Sequence, residues 1–137
     1  MGRFLRKLTF CYAAGSVGAI VNSLAVWICG ANGINAFLQV NIHPRLTPDW
    51  IYPRIVWGGI WGLMLFLPLV KSRLFVRSLL ISLGPSAAQL FYFFPVLQHK
   101  GLLGMKLGAL TPVTVVLFNW LWGLTALLWL RLTDKSY

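Results

Sequence analysis

The sequence predicts an all-α polytopic membrane protein, built as a four-helix transmembrane bundle with a short interfacial helix in the first outer loop. Hydrophobic residues make up 58% of the 137 residues and charged residues 10%, whereas soluble domains average about 45–50% apolar and about 25% charged. Four apolar stretches, residues 8–29, 50–70, 74–94 and 112–130, each approach the ~20 residues that a helix needs to cross a bilayer. Only short tails and loops remain, so we expect a single transmembrane domain covering residues 1–137.

The basic residues are distributed unequally between the two ends of the predicted spans. The net charge is +10, and eight of the twelve Lys and Arg residues lie on the side of the two termini and the middle loop. Because positively charged loops stay in the cytoplasm, both termini are expected there. Anionic headgroups account for the positive charge, so the expected partner is the lipid bilayer and not nucleic acid. The expected location is a bacterial inner (plasma) membrane.

Span 1, residues 8–29, carries small residues along one side. Gly15 and Gly18 are followed by Asn22 at helical steps of three and four. In lipid, small residues let helix backbones approach closely, and packing replaces the hydrophobic drive of association. This pattern predicts helix packing at Gly15 and Gly18.

The first outer loop contains apolar residues at helical spacing. Ile34, Phe37 and Leu38 alternate with the polar residues Asn35 and Gln39. Such a pattern is typical of a short amphipathic helix that lies in the membrane interface.

Span 2, residues 50–70, contains a permanent cation near its outer end. Arg54 is followed at steps of four by Gly58 and Gly62, two further candidates for helix packing. A guanidinium is costly in hydrocarbon, so it reaches the headgroups, pairs with another group or lines a polar cavity. Trp50 and Trp57 are expected to stack against this guanidinium.

Span 3, residues 74–94, has a polar stripe toward its outer end. Ser86 and Gln89 are three residues apart, and Tyr92 follows one turn later near the predicted boundary. Pro85 removes a backbone hydrogen bond in the middle of the span, which predicts a kink.

Span 4, residues 112–130, combines an amide with a glycine. Asn119 and Gly123 are one turn apart and share a face of the helix. This spacing predicts another helix contact at Gly123.

The polar side chains of the four spans are expected at one depth. Asn22, Arg54, Gln89 and Asn119 lie four to eight residues from the outer ends of their spans, or about 6–12 Å below the boundary at helical rise. In one interpretation the amides join the helices and Arg54 reaches the headgroups. In the other, the layer lines a water-filled vestibule where Arg54 binds an anionic headgroup or solute, with Tyr92 as a further partner. Amides commonly serve as helix contacts, which favours the first interpretation.

Residues suited to catalysis or metal binding are scarce. The chain has two acidic residues, two histidines and two cysteines, and none of them shows metal-ligand spacing. We therefore expect no enzymatic activity, no metal and no cofactor. A membrane-embedded enzyme acting on a lipid or a quinone would require His43 and His99, which lie in the two outer loops, to converge.

The function favoured by the sequence is that of a non-enzymatic accessory or structural subunit. The small-residue seams on spans 1, 2 and 4 exceed what an isolated four-helix bundle needs. They favour packing in a homo-oligomer or against other subunits of a larger membrane complex. The alternative is a small transporter or channel with an anion- or lipid-headgroup-binding site around Arg54 at its outer mouth.

Overall fold

The computed structural model describes residues 2–68 and 72–133. The chain is 82% helical, and the described residues contain no strand. Three helices are long and apolar enough to cross a membrane: Gly2–Ala31, Leu74–Leu97 and Thr111–Thr133. The predicted all-α class is therefore confirmed, and these three helices are compatible with a membrane protein.

The described residues form five α-helices joined by shorter helical segments. The α-helices are α1 (Gly2–Ala31), α2 (Ile34–Phe37), α3 (Pro48–Gly62), α4 (Leu74–Ala88) and α5 (Thr111–Thr133). The shorter segments are a 3₁₀ turn (Leu63–Phe66), a π-helix (Gln89–Leu97) and a second 3₁₀ segment (Leu102–Leu107).

The helical path that starts with α3 ends earlier than hydropathy predicts. The 3₁₀ turn continues α3 as far as Phe66, and Leu67 is extended, with φ −71° and ψ 133°. Leu67 precedes Pro68, and a residue before proline avoids the helical region because the proline ring collides with its backbone. Residues 69 and 70, the predicted end of span 2, lie outside the described part of the chain.

The helix α4 widens into the π-helix at Gln89. Pro95 lies inside this segment and has no backbone N–H to donate. The backbone N–H of Gln98 donates to the carbonyl oxygen of Phe93, five residues earlier, at 3.0 Å. Span 3 thus reaches Leu97, three residues beyond the predicted boundary, with a wider turn at its end.

The long helices are arranged side by side in the order α3, α1, α5, α4. The helix α1 packs against both α3 and α5, and α5 packs against α4. The helix α3 and its 3₁₀ turn approach α4 at Gly84, where an added Cβ would lie 2.8 Å from Met64 Sδ and 3.3 Å from Trp61 Cζ3. The two end members of this row, α3 and α4, therefore also approach each other at Gly84.

Glycines form the closest helix contacts. A Cβ on Gly15 would lie 2.7 Å from Gly62 Cα and would also collide with the carbonyl oxygen of Gly58. A Cβ on Gly123 would lie 2.7 Å from the carbonyl oxygen of Ser78. All five glycines singled out in the sequence face another helix of this chain: Gly15, Gly18, Gly58, Gly62 and Gly123. These glycine contacts therefore join helices of the same chain.

An arginine is buried inside the bundle. Arg77 is 1% exposed, and its Nη2 donates to the carbonyl oxygens of Leu65 at 3.0 Å and Leu67 at 3.3 Å. The last carbonyls of a helical segment have no partner within it. Arg77 supplies that partner and ties the end of the 3₁₀ turn to α4.

Candidate functional site

A cavity of about 810 Å³ lies in the half of the bundle that is remote from the chain termini. We call this half, residues 19–61 and 85–122, the loop half, and the rest of the described bundle the terminal half. The cavity separates α3 from the end of α4 and the π-helix, and α1 and α5 close it behind. The six side chains proposed from sequence as a ligand site all line it: Arg54, Asn22, Gln89, Asn119, Tyr92 and Trp57.

Arg54 lies on the wall formed by α1 and α3. Its Nε donates to Ser23 Oγ at 2.9 Å, and its Nη2 donates to Asn22 Oδ1 at 2.6 Å. The guanidinium stacks on the ring of Trp50, with Cζ 4.7 Å from the ring centroid. Asn22 Nδ2 donates in turn to the carbonyl oxygen of Phe118 at 2.6 Å. The arginine is thus held in place by groups on α1 and α3, and through Asn22 it is connected to α5.

The groups that hold Arg54 carry no charge. Ser23 and Asn22 are neutral, and no ion pair joins Arg54 to Asp49 in the described part of the chain, although Asp49 also lines the cavity. A guanidinium has five N–H donors, and Nη1 of Arg54 has no acceptor among the described residues. The positive charge of Arg54, a lining residue of the cavity, is therefore not balanced by a carboxylate among the described residues.

The opposite wall presents an amide to the same cavity. Asn119 Nδ2 donates to Ser86 Oγ at 3.0 Å and to Gln89 Oε1 at 3.3 Å. These bonds join α5 to α4 and to the start of the π-helix. Gln89 uses its oxygen as the acceptor in this bond, so its Nε2 donors are not engaged in it. Polar side chains thus line the cavity on both walls.

Exposed side chains line the cavity at two places, which we take as its openings. At the end of the bundle, the lining residues His43, Asp49 and Lys100 are exposed. On the flank between α3 and the π-helix, Trp57 and Tyr92 line the cavity and are 59% and 57% exposed. One opening is therefore polar and the other aromatic.

Toward the terminal half the cavity ends at a packed core. Trp122 lines the cavity, is 4% exposed, and donates from Nε1 to the carbonyl oxygen of Gly15 at 2.9 Å. Behind it, Leu65, Ile81 and Leu127 are fully buried in the same hydrophobic cluster. Among the described residues, the lining of the cavity stops at this core, so the cavity is blind at this end.

The structure brings the predicted polar residues to one cavity, but it also shows a hydrogen-bond partner of Arg54 that the sequence did not predict. Ser23 binds Arg54 directly, and its only sequence signal is that it follows Asn22. His43 lines the cavity, but His99 is not among the lining residues, and the described residues contain no group of three metal-binding side chains.

The chain matches no protein-family model, no curated protein and no solved structure. The geometry of the cavity is therefore the basis on which a function can be assigned.

Proposed function

We propose that this chain is a small, non-enzymatic membrane transporter whose cavity binds an anionic group at Arg54. The supporting observation is a cation held at the wall of a large cavity by neutral groups alone. An uncompensated charge in a medium of low dielectric attracts an opposite charge strongly. The matching ligand carries a phosphate or carboxylate group, either on a lipid headgroup or on a free solute.

We further propose that the bundle crosses the membrane four times, with α3 and its 3₁₀ turn as the fourth span. The helix α3 alone has 15 residues, but the continuous path Pro48–Phe66 is about 30 Å long, which is the thickness of the hydrocarbon core. With both termini in the cytoplasm of a bacterial cell, the cavity opens toward the outer side. The turn α2, whose Phe37 is 86% exposed, would then lie in the outer interface.

This topology predicts which loop positions are accessible from outside the cell. In a Cys29→Ser background, a cysteine introduced as Arg45→Cys is expected to react with a membrane-impermeant maleimide in intact cells. A cysteine introduced as Arg73→Cys is expected to react only after the membrane is permeabilised. Equal labelling of the two positions in intact cells would contradict the four-span arrangement.

Two observations favour a transporter over the other sequence-based candidates. A channel requires a continuous path, whereas this cavity is blind and would need a conformational change to release its ligand on the other side. The accessory-subunit prediction depends on small-residue faces beyond those that the bundle itself needs, and the five glycines of these faces contact helices of the same chain.

The isosteric change Gln89→Glu tests this function. Glu retains an oxygen acceptor for Asn119 but adds a negative charge to the cavity, which repels an anion and competes for Arg54. We expect purified protein in phosphatidylcholine vesicles to move radiolabelled inorganic phosphate or fluorescent phosphatidic acid faster than empty vesicles do. The variant is expected to reduce this rate by about tenfold, a change of about 1.4 kcal/mol in binding.

The thermal midpoint of the Gln89→Glu protein is the control, and it should match that of the wild type. No movement of either probe above the level of empty vesicles would exclude the transporter. An unchanged rate in the folded variant would show that the ligand is not an anion bound in this cavity.

A further inference from the structure

The cavity has much more room than an anionic group needs. A water molecule takes up about 30 Å³ of liquid, so the five heavy atoms of a phosphate group would fill roughly a fifth of the 810 Å³. Most of the remaining wall is hydrocarbon or aromatic: Val26, Trp61, Phe93, Leu97, Val115 and Phe118. Water is held poorly where polar partners are missing, so the remaining space is suited to a hydrocarbon chain.

The aromatic opening supplies a route for such a chain. The helix α3 packs on α1, and α4 packs on α5, so the cavity separates the two flanking helices in the loop half. Trp57 on α3 and Tyr92 on the π-helix stand on either side of this separation, each more than half exposed. In the proposed four-span arrangement this flank faces the acyl chains of the bilayer.

The lining of the cavity combines cationic and apolar side chains. Arg54 and Lys100 are the two cationic side chains among the lining residues, and Lys100 marks the polar opening at the end of the bundle. Most of the other lining side chains are apolar or aromatic, and the aromatic opening lies on the flank. A ligand that suits both kinds of lining has an anionic head and a hydrocarbon tail.

From this arrangement we infer that the transported compound is a membrane lipid with a phosphate headgroup, which enters the cavity sideways from the bilayer between α3 and the π-helix. The headgroup binds Arg54, and at least one acyl chain lies against the apolar wall and passes between Trp57 and Tyr92. The inference rests on the proposed function, because it requires an anion at Arg54, and it adds the class of substrate and its route.

A pair of neighbouring alanines offers a matched test of the lateral route. Ala88 lines the cavity one helical turn before Tyr92, whereas Ala87 is exposed and is not a lining residue. Ala88→Phe should fill the space beside the aromatic opening, and Ala87→Phe should add the same side chain outside the cavity.

The proteins are reconstituted in nanodiscs that contain equal amounts of phosphatidic acid and phosphatidylcholine. Native mass spectrometry then measures how many molecules of each lipid stay bound to the protein when it is released from the nanodisc. The wild type and Ala87→Phe should retain phosphatidic acid over phosphatidylcholine by about tenfold or more. Ala88→Phe should lose most of this retention. Millimolar inorganic phosphate should not displace the lipid from the wild type.

Equal retention of the two lipids, or undiminished retention by Ala88→Phe, would overturn the inference. Displacement of the lipid by inorganic phosphate would also overturn it, but it would leave the proposed function standing, since an anion would still occupy the site. If neither phosphatidic acid nor inorganic phosphate binds, both fail. If Ala88→Phe does not fold, the inference is tested by the headgroup preference and the phosphate competition measured on the wild type.

Discussion

Replacing Gly15 with leucine is expected to prevent the bundle from assembling. The added Cβ would lie 2.7 Å from Gly62 Cα and would collide with the carbonyl oxygen of Gly58. Both obstacles are backbone, which cannot move aside without separating α1 from α3. The same position also accepts the hydrogen bond from Trp122 Nε1. Overpacking of this kind typically costs about 1–3 kcal/mol, and more where backbone is displaced.

The measurement for this variant is the thermal midpoint in a mild detergent, together with the monodisperse fraction on size exclusion. Ala13→Leu is the matched control, because Ala13 is exposed on the same helix two residues earlier. We expect the control to resemble the wild type, and Gly15→Leu to lose the monodisperse peak or to melt far below it. A midpoint equal to that of the wild type would show that α1 and α3 are not packed through this glycine.

The parts of the fold that could be read from the sequence are those set by local composition. Long apolar stretches predict the helices Gly2–Ala31, Leu74–Leu97 and Thr111–Thr133, because a helix that contacts lipid needs an apolar surface along its whole length. The depths of Asn22 and Asn119 in their spans likewise follow from helical rise alone. Neither inference requires knowledge of which helices are neighbours.

Features that depend on neighbours could not be read in the same way. Arg77 looks from the sequence like a cation at the cytoplasmic end of a span, yet it is buried and binds the carbonyl of Leu65. The free carbonyl oxygens at a helix end belong to the backbone, so the residue types do not reveal which side chain will bind them. The choice of Ser23 as a partner of Arg54 likewise requires the side-by-side packing of α1 and α3.

The π-helix and the early end of the α3 path had partial signals in the sequence. Pro68 indicates that Leu67 leaves the helix, but hydropathy continues past it and predicts a longer span. Pro95 marks a disturbance near the end of span 3, but a missing N–H is compatible with a kink, a stop or a wider turn. Only the packing around the segment selects among these outcomes.

The variant Arg54→Gln is expected to lose anion binding almost completely. Glutamine keeps a hydrogen-bonding side chain beside Asn22 and Ser23 but removes the charge that faces the cavity. Loss of one partner from a charged, desolvated hydrogen bond costs about 2–5 kcal/mol of binding free energy. The lower bound of this range corresponds to a dissociation constant about 30-fold higher.

Arg45→Gln is the matched control for this change. Arg45 is exposed in the loop before α3, at the same end of the bundle, and it is not a lining residue of the cavity. The two variants therefore carry the same net charge and the same new side chain. A difference between them reports the site and not the general attraction of a positive protein for anions.

Dodecyl phosphate is a suitable probe because its anionic head can bind Arg54 whether or not its hydrocarbon tail also binds in the cavity. The most direct test of the site is to measure the dissociation constant of dodecyl phosphate in dodecyl maltoside, with a correction for binding to protein-free micelles. The proteins compared are the wild type, Arg54→Gln and Arg45→Gln. We expect Arg54→Gln to raise the constant at least about 30-fold and Arg45→Gln to leave it within about twofold. Equal constants for the wild type and a folded Arg54→Gln protein would contradict the assignment.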